Sequence, residues 1–415
     1  MNRDGDFGLE KKFDVLIVGG GPAGSAAALF AARHGLKVCL LDKARFPRDK
    51  ICGDAISGKS MTVLKELGLL EEAQKLPHAL IDSITFGNAL HDIVTIPLLG
   101  DKRNGLPPGL VIRRVVFDGF LLTRAKQVAM VLEDHEVRHL IFEGRQVVGV
   151  TGVNSRSQEA FELRAPLVLG ADGYHSVVAR ETGLYDHDPK HWVVALRQYF
   201  RNVQGLSKEI ELHYLDEVIP GYLWLFPADD GTANVGIGML YSAMKAKRVD
   251  LKKAMAQALN SDFLKERFSR AQPLEKPKGW NLPVGSKHRK NYGAGFLLLG
   301  DAAGLIDPFT GEGIGNALYS AQIAARVAAQ AVQAADFSEQ FLQRYDHELW
   351  QALGDELAVS SKLQRIGRHR FLLNFVIKKA AHSENVRQII SGMMANQIPK
   401  TKLANPLFYF KLFFS

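Results

Sequence analysis

A glycine-rich turn between a strand and a helix is the first stretch whose residue types could do chemistry. Phe13–Val18 (FDVLIV) is apolar and rich in branched residues, as a buried parallel strand is, and GGGPAG follows at Gly19–Gly24. Backbone N–H groups and the positive dipole end of the next helix would bind a pyrophosphate there. Asp42 closes the next strand about 20 residues later, where it would accept hydrogen bonds from an adenosine ribose. This order of elements predicts a dinucleotide site and not an empty glycine turn.

The small residues of this turn have separate roles. Gly19 allows the tight turn, Gly21 lets the pyrophosphate approach the backbone, and Gly24 lets the helix pack closely on the strand. Ala23 lies at the same helix start and is included in the predicted cofactor site. No second strand–GxGxxG–helix unit follows in the sequence. We therefore expect one resident dinucleotide, with NAD(P)H or a reduced protein carrier as a transient electron donor.

Two later segments repeat the pattern of an apolar strand that ends at an acid. The first is Ala165–Gly173 (APLVLGADG), which closes on Asp172 and Gly173. The second is Gly295–Leu318 (GFLLLGDAAGLIDPFTGEGIGNAL), in which Asp301 follows the strand and a glycine-rich helix start comes next. Taken alone, Asp301 would be read as a helix N-cap.

The three motifs together resemble the p-hydroxybenzoate-hydroxylase type of flavoprotein over roughly residues 13–330. The resemblance implies that FAD is the dinucleotide and that Asp301 binds its ribityl chain. It also implies that the helix start at Gly311, Gly313 and Ile314 points its dipole at the flavin ring. This position is electrostatically favourable, because a helix N-terminus stabilises the negative charge of reduced flavin. Asp172 and Gly173 belong to the same implied site.

Two arginines are further candidates for cofactor binding. Arg114 matches the family pattern RxxFDxxL, so it would contact FAD or fix the following helix. The alternatives are an exposed arginine or an ion pair with Asp118 one turn on, and the neighbouring Arg113 could take the same role. Arg48 and Lys50, in the segment FPRDKICG, could each bind the pyrophosphate or a substrate phosphate.

Two short motifs separate the subfamilies of this fold. FPRDKICGDAISG at Phe46–Gly58 and PGYLWLFPADD at Pro220–Asp230 resemble the geranylgeranyl reductase family, which shows FPRxKxCG and GYxWxFP. Flavin halogenases instead show the motif FPR followed by IGES, together with the motif WxWxIP. Cys52, Tyr222 and Phe226 depart from that halogenase pattern.

An aromatic strand and a cysteine are the predicted substrate site. Tyr222, Trp224 and Phe226 alternate, so they share one face, which is either sheet core or the wall of a pocket. The resemblance favours a pocket for a polyprenyl chain, with these three as substrate-binding residues and with Cys52, Tyr222 and Trp224 as catalytic candidates. Cys52 could equally be a small buried hydrophobe. The implied reaction saturates a geranylgeranyl-type chain by hydride transfer from reduced flavin, and Tyr222, Cys52 and ordered water stay open as the proton donor.

Two other activities are alternatives to this reading. One is a flavin-dependent monooxygenase or halogenase of an aromatic substrate, and the other is a flavin electron carrier. Oxygen or halide consumption would mark the first. Electron transfer to a partner without turnover of any substrate would mark the second.

The order of strands and helices along the chain predicts an α/β (α+β) fold. A Rossmann-like FAD-binding domain with a parallel sheet would gather residues 1–75, 105–185 and 290–335. An antiparallel substrate domain, interleaved with it, would comprise residues 76–104 and 186–289, with an amphipathic helix over 246–270. Residues 336–415 would form a helical C-terminal cap.

Composition limits the partners and the compartment. The net charge is +8, but the chain has no zinc-finger spacing or basic tail, so we expect neither nucleic acid nor a metal site. Two cysteines and no apolar run of about 18 residues suit a reducing cytoplasm. The basic segment 362–379 and the aromatic end 405–415 would either dock on the protein or contact the inner membrane face as a peripheral site. The expected substrate is a prenyl lipid or diphosphate.

Overall fold

A largely parallel sheet carries the predicted dinucleotide motifs. In the computed structural model, which describes residues 12–101 and 105–394, the strands of this sheet are mainly buried runs of branched and leucine residues. From one edge to the other they are Tyr292–Gly293, Phe296–Leu298, Leu167–Gly170, Val15–Val18, Val38–Leu41 and Met130–Leu132. All neighbours are parallel except the edge pair formed by the first two.

Two helices rich in small residues pack together beside this sheet. They are Pro22–Arg33 and Ile314–Ala334, and their alanines are buried between them. A proline in the first turn suits the start of the first helix, because its missing N–H would have no partner there. That helix ends at Arg33, and Gly35, two residues later, has a positive φ of 79°.

A second sheet carries the aromatic motif. Its strands in spatial order are Gln272–Pro273, Trp192–Arg201, Thr232–Leu240, Gly221–Pro227, Glu209–Tyr214, Ser83–Asn88 and Ile93–Pro97, and Lys278–Pro283 also pairs with Trp192–Arg201. The pairing is antiparallel, as predicted, except that Ser83–Asn88 runs parallel to Glu209–Tyr214. This exception arises because the two strands come from distant parts of the chain and are not joined by a hairpin.

The two faces of the second sheet have different partners. Leu223 and Leu225 pack with Leu251 and Met255 of a covering helix, whereas the alternate residues Tyr222 and Trp224 point the other way. The single helix predicted over 246–270 is wrong in its continuity. The structure has the separate helices Tyr241–Lys247, Leu251–Leu259 and Lys265–Phe268, and Asp250 caps the second by accepting backbone hydrogen bonds.

Smaller elements connect the two sheets. A meander of His135–Glu143, Gln146–Asn154 and Ala160–Arg164 is antiparallel, and Ala55–Ile56, Gly109–Val111 and Ala79–Ile81 form a short sheet. The remaining α-helices before the C-terminal region are Gly58–Glu66, Leu70–Ala73, Arg114–Ala125 and Val177–Glu181. Short 3₁₀ helices lie at Pro189–His191, Asp229–Gly231 and Gly300–Ala303.

The C-terminal region is helical, as expected. Its helices are Glu339–Ile366, Arg370–His382 and Glu384–Met394, and the second packs on the strand Ile93–Pro97. The aromatic end 405–415 lies outside the described residues. No helix in the described part of the chain is both long and apolar enough to span a bilayer. The α/β fold class with a helical C-terminal region is confirmed, and the domain boundaries stay predictions.

Candidate active site

The glycine turn Gly19–Gly24 meets the Asp172 motif directly. Gly19 has a φ of 102°, and a Cβ atom on it would lie 2.4 Å from the carbonyl oxygen of Ala171. Any other residue would therefore be strained and would clash. A Cβ on Gly24 would lie 1.8 Å from the carbonyl oxygen of Gly19, which explains the close packing of helix on turn. The two motifs, far apart in sequence, form one side of a cradle.

Asp42 lies against this turn. Its Oδ2 accepts a hydrogen bond of 2.6 Å from the N–H of Gly20, and its Oδ1 accepts one of 2.8 Å from Ala44. Each carboxylate oxygen can accept a second hydrogen bond. Asp42 thus fixes the turn and retains capacity for a ribose hydroxyl, which stays a prediction.

Asp172 has a structural role in addition to the predicted one. Its Oδ2 accepts a hydrogen bond of 2.6 Å from the N–H of Val177, at the start of a helix. Its Oδ1 is buried without a hydrogen-bond partner among the described residues. Burial raises the pKa of this carboxyl above its usual range. The unpartnered oxygen could accept a hydrogen bond from a ligand hydroxyl. The assignment of Asp172 to the cofactor site stays a prediction.

Asp301 is placed beside the second helix start. A Cβ on Gly313 would lie 3.6 Å from Asp301 Oδ1, and Gly313 directly precedes the helix Ile314–Ala334. Asp301 is half-buried, and its carboxylate receives no hydrogen bond from the residues that the structure describes. An open carboxylate next to free helical N–H groups matches the ribityl hydroxyls and the polar ring edge of FAD. These residues fit the cofactor.

The loop before this helix is fixed by residues that the sequence did not single out. Asp307 is buried, and its Oδ1 accepts hydrogen bonds of 2.9 and 2.8 Å from the N–H groups of Phe309 and Thr310. Its Oδ2 accepts one of 2.6 Å from Ser360, and Gln364 donates to the Pro308 carbonyl at 2.7 Å. The long helix Glu339–Ile366 therefore holds the glycine loop in shape.

The two candidate arginines, Arg48 and Arg114, both bind the buried carboxylate of Asp118. Arg48 Nη1 lies 2.7 Å from Asp118 Oδ2, and Arg114 binds both oxygens of Asp118 at 2.6 and 2.7 Å. A Cβ on Gly21 would lie 3.6 Å from Arg48 Nη2, so Arg48 reaches the glycine turn. Arg114 forms the i,i+4 ion pair named above as an alternative, and Arg113 pairs with Asp229 instead. Direct contact of Arg114 with FAD stays a prediction.

Lys50 lies on the same segment with no acidic side chain within ion-pair distance among the described residues. Its Nζ lies 3.9 Å from the ring centroid of Trp280. Burial lowers the pKa of this ammonium group to about 8, although Asp301 opposes the shift. A cation that is stabilised mainly by an aromatic face retains its capacity to bind an anionic group.

The Cys52–Gly53 pair packs against the aromatic strand. A Cβ on Gly53 would lie 3.0 Å from Phe226 Cε2 and 3.9 Å from Trp224 Nε1. Cys52 is half-buried, whereas Cys39 is fully buried, and both are free thiols. The backbone at Gly53 therefore borders the aromatic face, and the catalytic assignment of Cys52 stays a prediction.

An apolar cavity separates this face from the glycine loop. Tyr222 and Trp224 line it on the sheet side, and Pro308, Phe309 and Gly311 line it on the loop side. The Tyr222 hydroxyl donates a hydrogen bond of 2.5 Å to the carbonyl of Thr310. Phe226 is not among the lining residues, because Gly53 covers its ring. Its assignment to substrate binding stays a prediction without support from the cavity.

A buried polar network beneath the cavity was also missed. Asp54 is fully buried and accepts hydrogen bonds of 2.5 Å from the Tyr199 hydroxyl and 2.7 Å from Asn234 Nδ2. Burial raises the pKa of the Asp54 carboxyl to about 6. The available signal was Asn234 itself, a polar amide side chain in a mostly apolar strand, TANVGIGM.

Comparison with known proteins supports FAD as the cofactor. The family model for the FAD binding domain matches residues 12–352. A digeranylgeranylglycerophospholipid reductase from Methanocella arvoryzae is 32% identical over 96% of this chain and 96% of its own length. A reductase of the same name from Methanopyrus kandleri is 32% identical over 86% of each chain.

Solved structures show the same architecture. A geranylgeranyl bacteriochlorophyll reductase-like protein from Thermoplasma acidophilum superposes with a TM-score of 0.74 at 26% identity, covering 97% of this chain and 95% of its own. A flavin-dependent brominase also has a TM-score of 0.74, at 20% identity and with 92% and 93% coverage, which shows a shared fold alone.

FAD as the cofactor and an oxidoreductase activity are thus confirmed. The chain belongs to the geranylgeranyl reductase family of FAD-dependent oxidoreductases.

Proposed function

We propose that the chain reduces carbon–carbon double bonds of a geranylgeranyl-type polyprenyl group. The observation that carries the proposal is the position of the cavity, with Tyr222 and Trp224 on one wall and Gly311, three residues before the helix Ile314–Ala334, on the other. Apolar and aromatic walls suit a hydrocarbon chain. The names of the archaeal relatives support a geranylgeranyl lipid as the substrate class.

Each part of the site has a separate task in this reaction. Bound FAD would supply the hydride that one alkene carbon accepts. Asp301 and the backbone at Gly313 and Ile314 would hold the cofactor, while Arg48 would neutralise its pyrophosphate. Tyr222 and Trp224 would orient the alkene and exclude water. Positioning and a dry site matter here because an isolated alkene is a poor electrophile.

The second alkene carbon requires a proton. Burial raises the pKa of the Tyr222 phenol, so the group stays protonated at neutral pH at the cavity wall. Its proton is engaged with the Thr310 carbonyl, and a substrate would have to compete for it. The backbone that carries the Cys52 thiol borders the same face at Gly53. Tyr222, Cys52 and an ordered water are the proposed donors.

The finer partners are part of this proposal. NAD(P)H or a reduced protein carrier would deliver electrons transiently, since the sequence holds a single GxGxxG unit between strand and helix.

We place a peripheral membrane contact at the rim of the cavity. Residues 362–379 hold six lysines and arginines and no acid. Gln364 and Gly367 of this segment line the cavity. Arg370 forms an ion pair of 2.7 Å with Asp216, which lies in sequence between the lining residues Tyr214 and Pro220. Phe371, next in sequence, is 74% exposed. Cations beside an exposed aromatic ring suit an anionic membrane, from which a lipid chain would enter.

The test is product analysis under anaerobic conditions. The FAD-loaded protein is reduced chemically and incubated with a digeranylgeranyl glycerophospholipid, and the lipid is then measured by mass spectrometry. The proposal predicts mass gains corresponding to two hydrogens for each double bond. An unchanged lipid would refute it, and oxygen-dependent modification of an aromatic compound in a parallel aerobic reaction would then favour the monooxygenase alternative.

A further inference from the structure

Asn234 connects the cysteine loop with the aromatic strand. Its Nδ2 donates a hydrogen bond of 2.7 Å to the carbonyl of Cys52 and another of 2.7 Å to Asp54 Oδ2. Its Oδ1 accepts a hydrogen bond of 2.9 Å from Trp224 Nε1. The side chain is fully buried. Both amide protons and the amide oxygen are therefore engaged.

The chemistry of these partners determines the amide orientation. Rotating the amide by half a turn would place Oδ1 against the Cys52 carbonyl and the Asp54 carboxylate, and Nδ2 against the indole N–H. All three contacts would become repulsive. An aspartate could not replace Asn234, because it lacks the two donors. Few residues other than asparagine satisfy these three partners at this position.

Trp224 is held from a second side. Gly236 lies directly opposite Trp224 in the neighbouring strand, and a Cβ on Gly236 would lie 2.0 Å from Trp224 Cζ2. Phe226 lies opposite Asn234 in the same pairing, so the indole leans diagonally from above Gly236 towards Asn234. The glycine makes room for the ring and the asparagine fixes its edge.

We propose that Asn234 is a positioning residue that sets the distance between the Cys52 backbone and the Trp224 indole on the cavity wall. This distance determines which double bond of the prenyl chain is presented for reduction. The inference rests on the proposed function, because it assumes that a prenyl chain lies against Trp224. Asn234 itself lies beneath the wall and acts through the two residues that it joins. Losing it would leave the Cys52 carbonyl and the indole N–H free to move apart.

The test combines a thiol measurement with product analysis on the FAD-loaded protein. Because Cys39 is fully buried, alkylation of the native protein by iodoacetamide reports on Cys52. Asn234→Leu removes all three hydrogen bonds at similar volume. Asn234→Ser is a milder second variant that admits a water. Val235→Ala is the matched control, because the neighbouring side chain is equally buried but faces the opposite side of the sheet.

Both Asn234 variants should retain FAD but alkylate at Cys52 about ten-fold faster, as expected when a buried hydrogen-bonded group loses its partners. They should also leave double bonds at different positions in the partly reduced lipid, whereas Val235→Ala should match the wild type in both readouts. Wild-type alkylation and product pattern in both Asn234 variants would overturn the proposal, as would the same changes in Val235→Ala. A wild-type protein that reduces no prenyl lipid would refute the proposed function instead, and the alkylation rates would still decide whether Asn234 holds the Cys52 loop.

Discussion

The proposed function assigns the side chain of Asp301 to FAD and that of Trp224 to the prenyl substrate. Asp301 lies next to Gly313 with a carboxylate that receives no hydrogen bond from the described residues. Trp224 lies on the cavity wall with its indole N–H bound to Asn234. A change at either residue should therefore affect one ligand and spare the other.

Replacing Asp301 by alanine should loosen FAD. Charge-assisted hydrogen bonds to ribityl hydroxyls would be lost, which corresponds to roughly 10- to 100-fold weaker binding. Retention of FAD after gel filtration, followed by titration with free FAD, measures the effect. Asp262→Ala, an exposed carboxylate on the far side of the second sheet, is the control. Full FAD occupancy of the Asp301 variant after gel filtration would contradict the assignment.

Replacing Trp224 by alanine should weaken binding of the prenyl lipid by about ten-fold or more while FAD stays bound, because a large aromatic surface leaves the cavity wall. Phe226→Leu is the matched comparison, since Phe226 shares the face but is covered by Gly53. That variant should lose stability and keep its lipid affinity. A wild-type lipid affinity in the Trp224 variant would show that the aromatic face is core throughout.

The segment from Arg48 to Asp54 is the element that joins the cofactor domain to the second sheet. Arg48 binds Asp118 of the cofactor domain, while Asp49 binds Arg197 of the second sheet at 2.7 Å. Lys50 lies over Trp280, and Asp54 is bound by Tyr199 and Asn234. Successive side chains thus contact opposite sides, and the Cys52 carbonyl is bound by Asn234 beside the aromatic strand.

Asp54 should make stability depend on pH in a defined direction. Burial raises its pKa from 3.8 to about 6, so the folded protein keeps the proton over a range in which the unfolded chain has lost it. The stabilising contribution is complete below about pH 4 and is lost as pH rises through about 6, a total of about 3 kcal/mol.

Asp54→Asn removes this titration and keeps the shape of the side chain. Urea unfolding at several pH values should show the wild type losing up to about 3 kcal/mol of unfolding free energy relative to the variant between pH 4 and pH 7. Parallel pH curves for the two proteins would contradict the buried, raised pKa of Asp54.

Elements with local signals were predictable from the sequence. The strand–turn–helix unit at Gly19–Gly24 and the helix start at Gly313 follow from residues within a few positions of each other, and the structure forms both. The alternation of Tyr222 and Trp224 also gave the correct common face. Periodicity and turn chemistry act over a few residues, so one sequence suffices for them.

Contacts between distant segments were not predictable in the same way. Asn234 meets Cys52 across 182 residues, and Ser360 meets Asp307 across 53 residues. Neither pair has a pattern in sequence, because tertiary packing alone brings them together. The position of Phe226 outside the cavity lining was not predictable for a related reason, since alternation identifies a face but not how far the cavity extends along it.

At the scale of the whole molecule, the C-terminal helices relate the cavity to the protein surface. The helix Glu339–Ile366 supplies Ser360 and Gln364 to the glycine loop, and the next helix begins with Arg370 and the exposed Phe371. The cofactor loop, the cavity and the basic segment therefore adjoin one another. This arrangement suits an enzyme whose substrate resides in a lipid layer.

Neutralising cations in this region should weaken membrane binding. Arg365→Gln with Arg368→Gln should reduce binding to vesicles that contain anionic phospholipid by about five-fold per charge, and added salt should reduce the difference. Arg138→Gln with Arg164→Gln changes the same charge on the exposed meander and should have little effect. Equal sedimentation of both double variants with vesicles would contradict the proposed membrane contact at the rim of the cavity.

The most direct measurement is anaerobic reoxidation of the reduced FAD. The protein is reduced with dithionite, freed of excess reductant, and mixed without oxygen with a digeranylgeranyl glycerophospholipid while the flavin absorbance is followed. We predict that the oxidised spectrum returns at a rate that depends on lipid concentration, with one double bond lost for each flavin reoxidised. A spectrum that stays reduced until air is admitted would contradict prenyl reduction and favour oxygen chemistry.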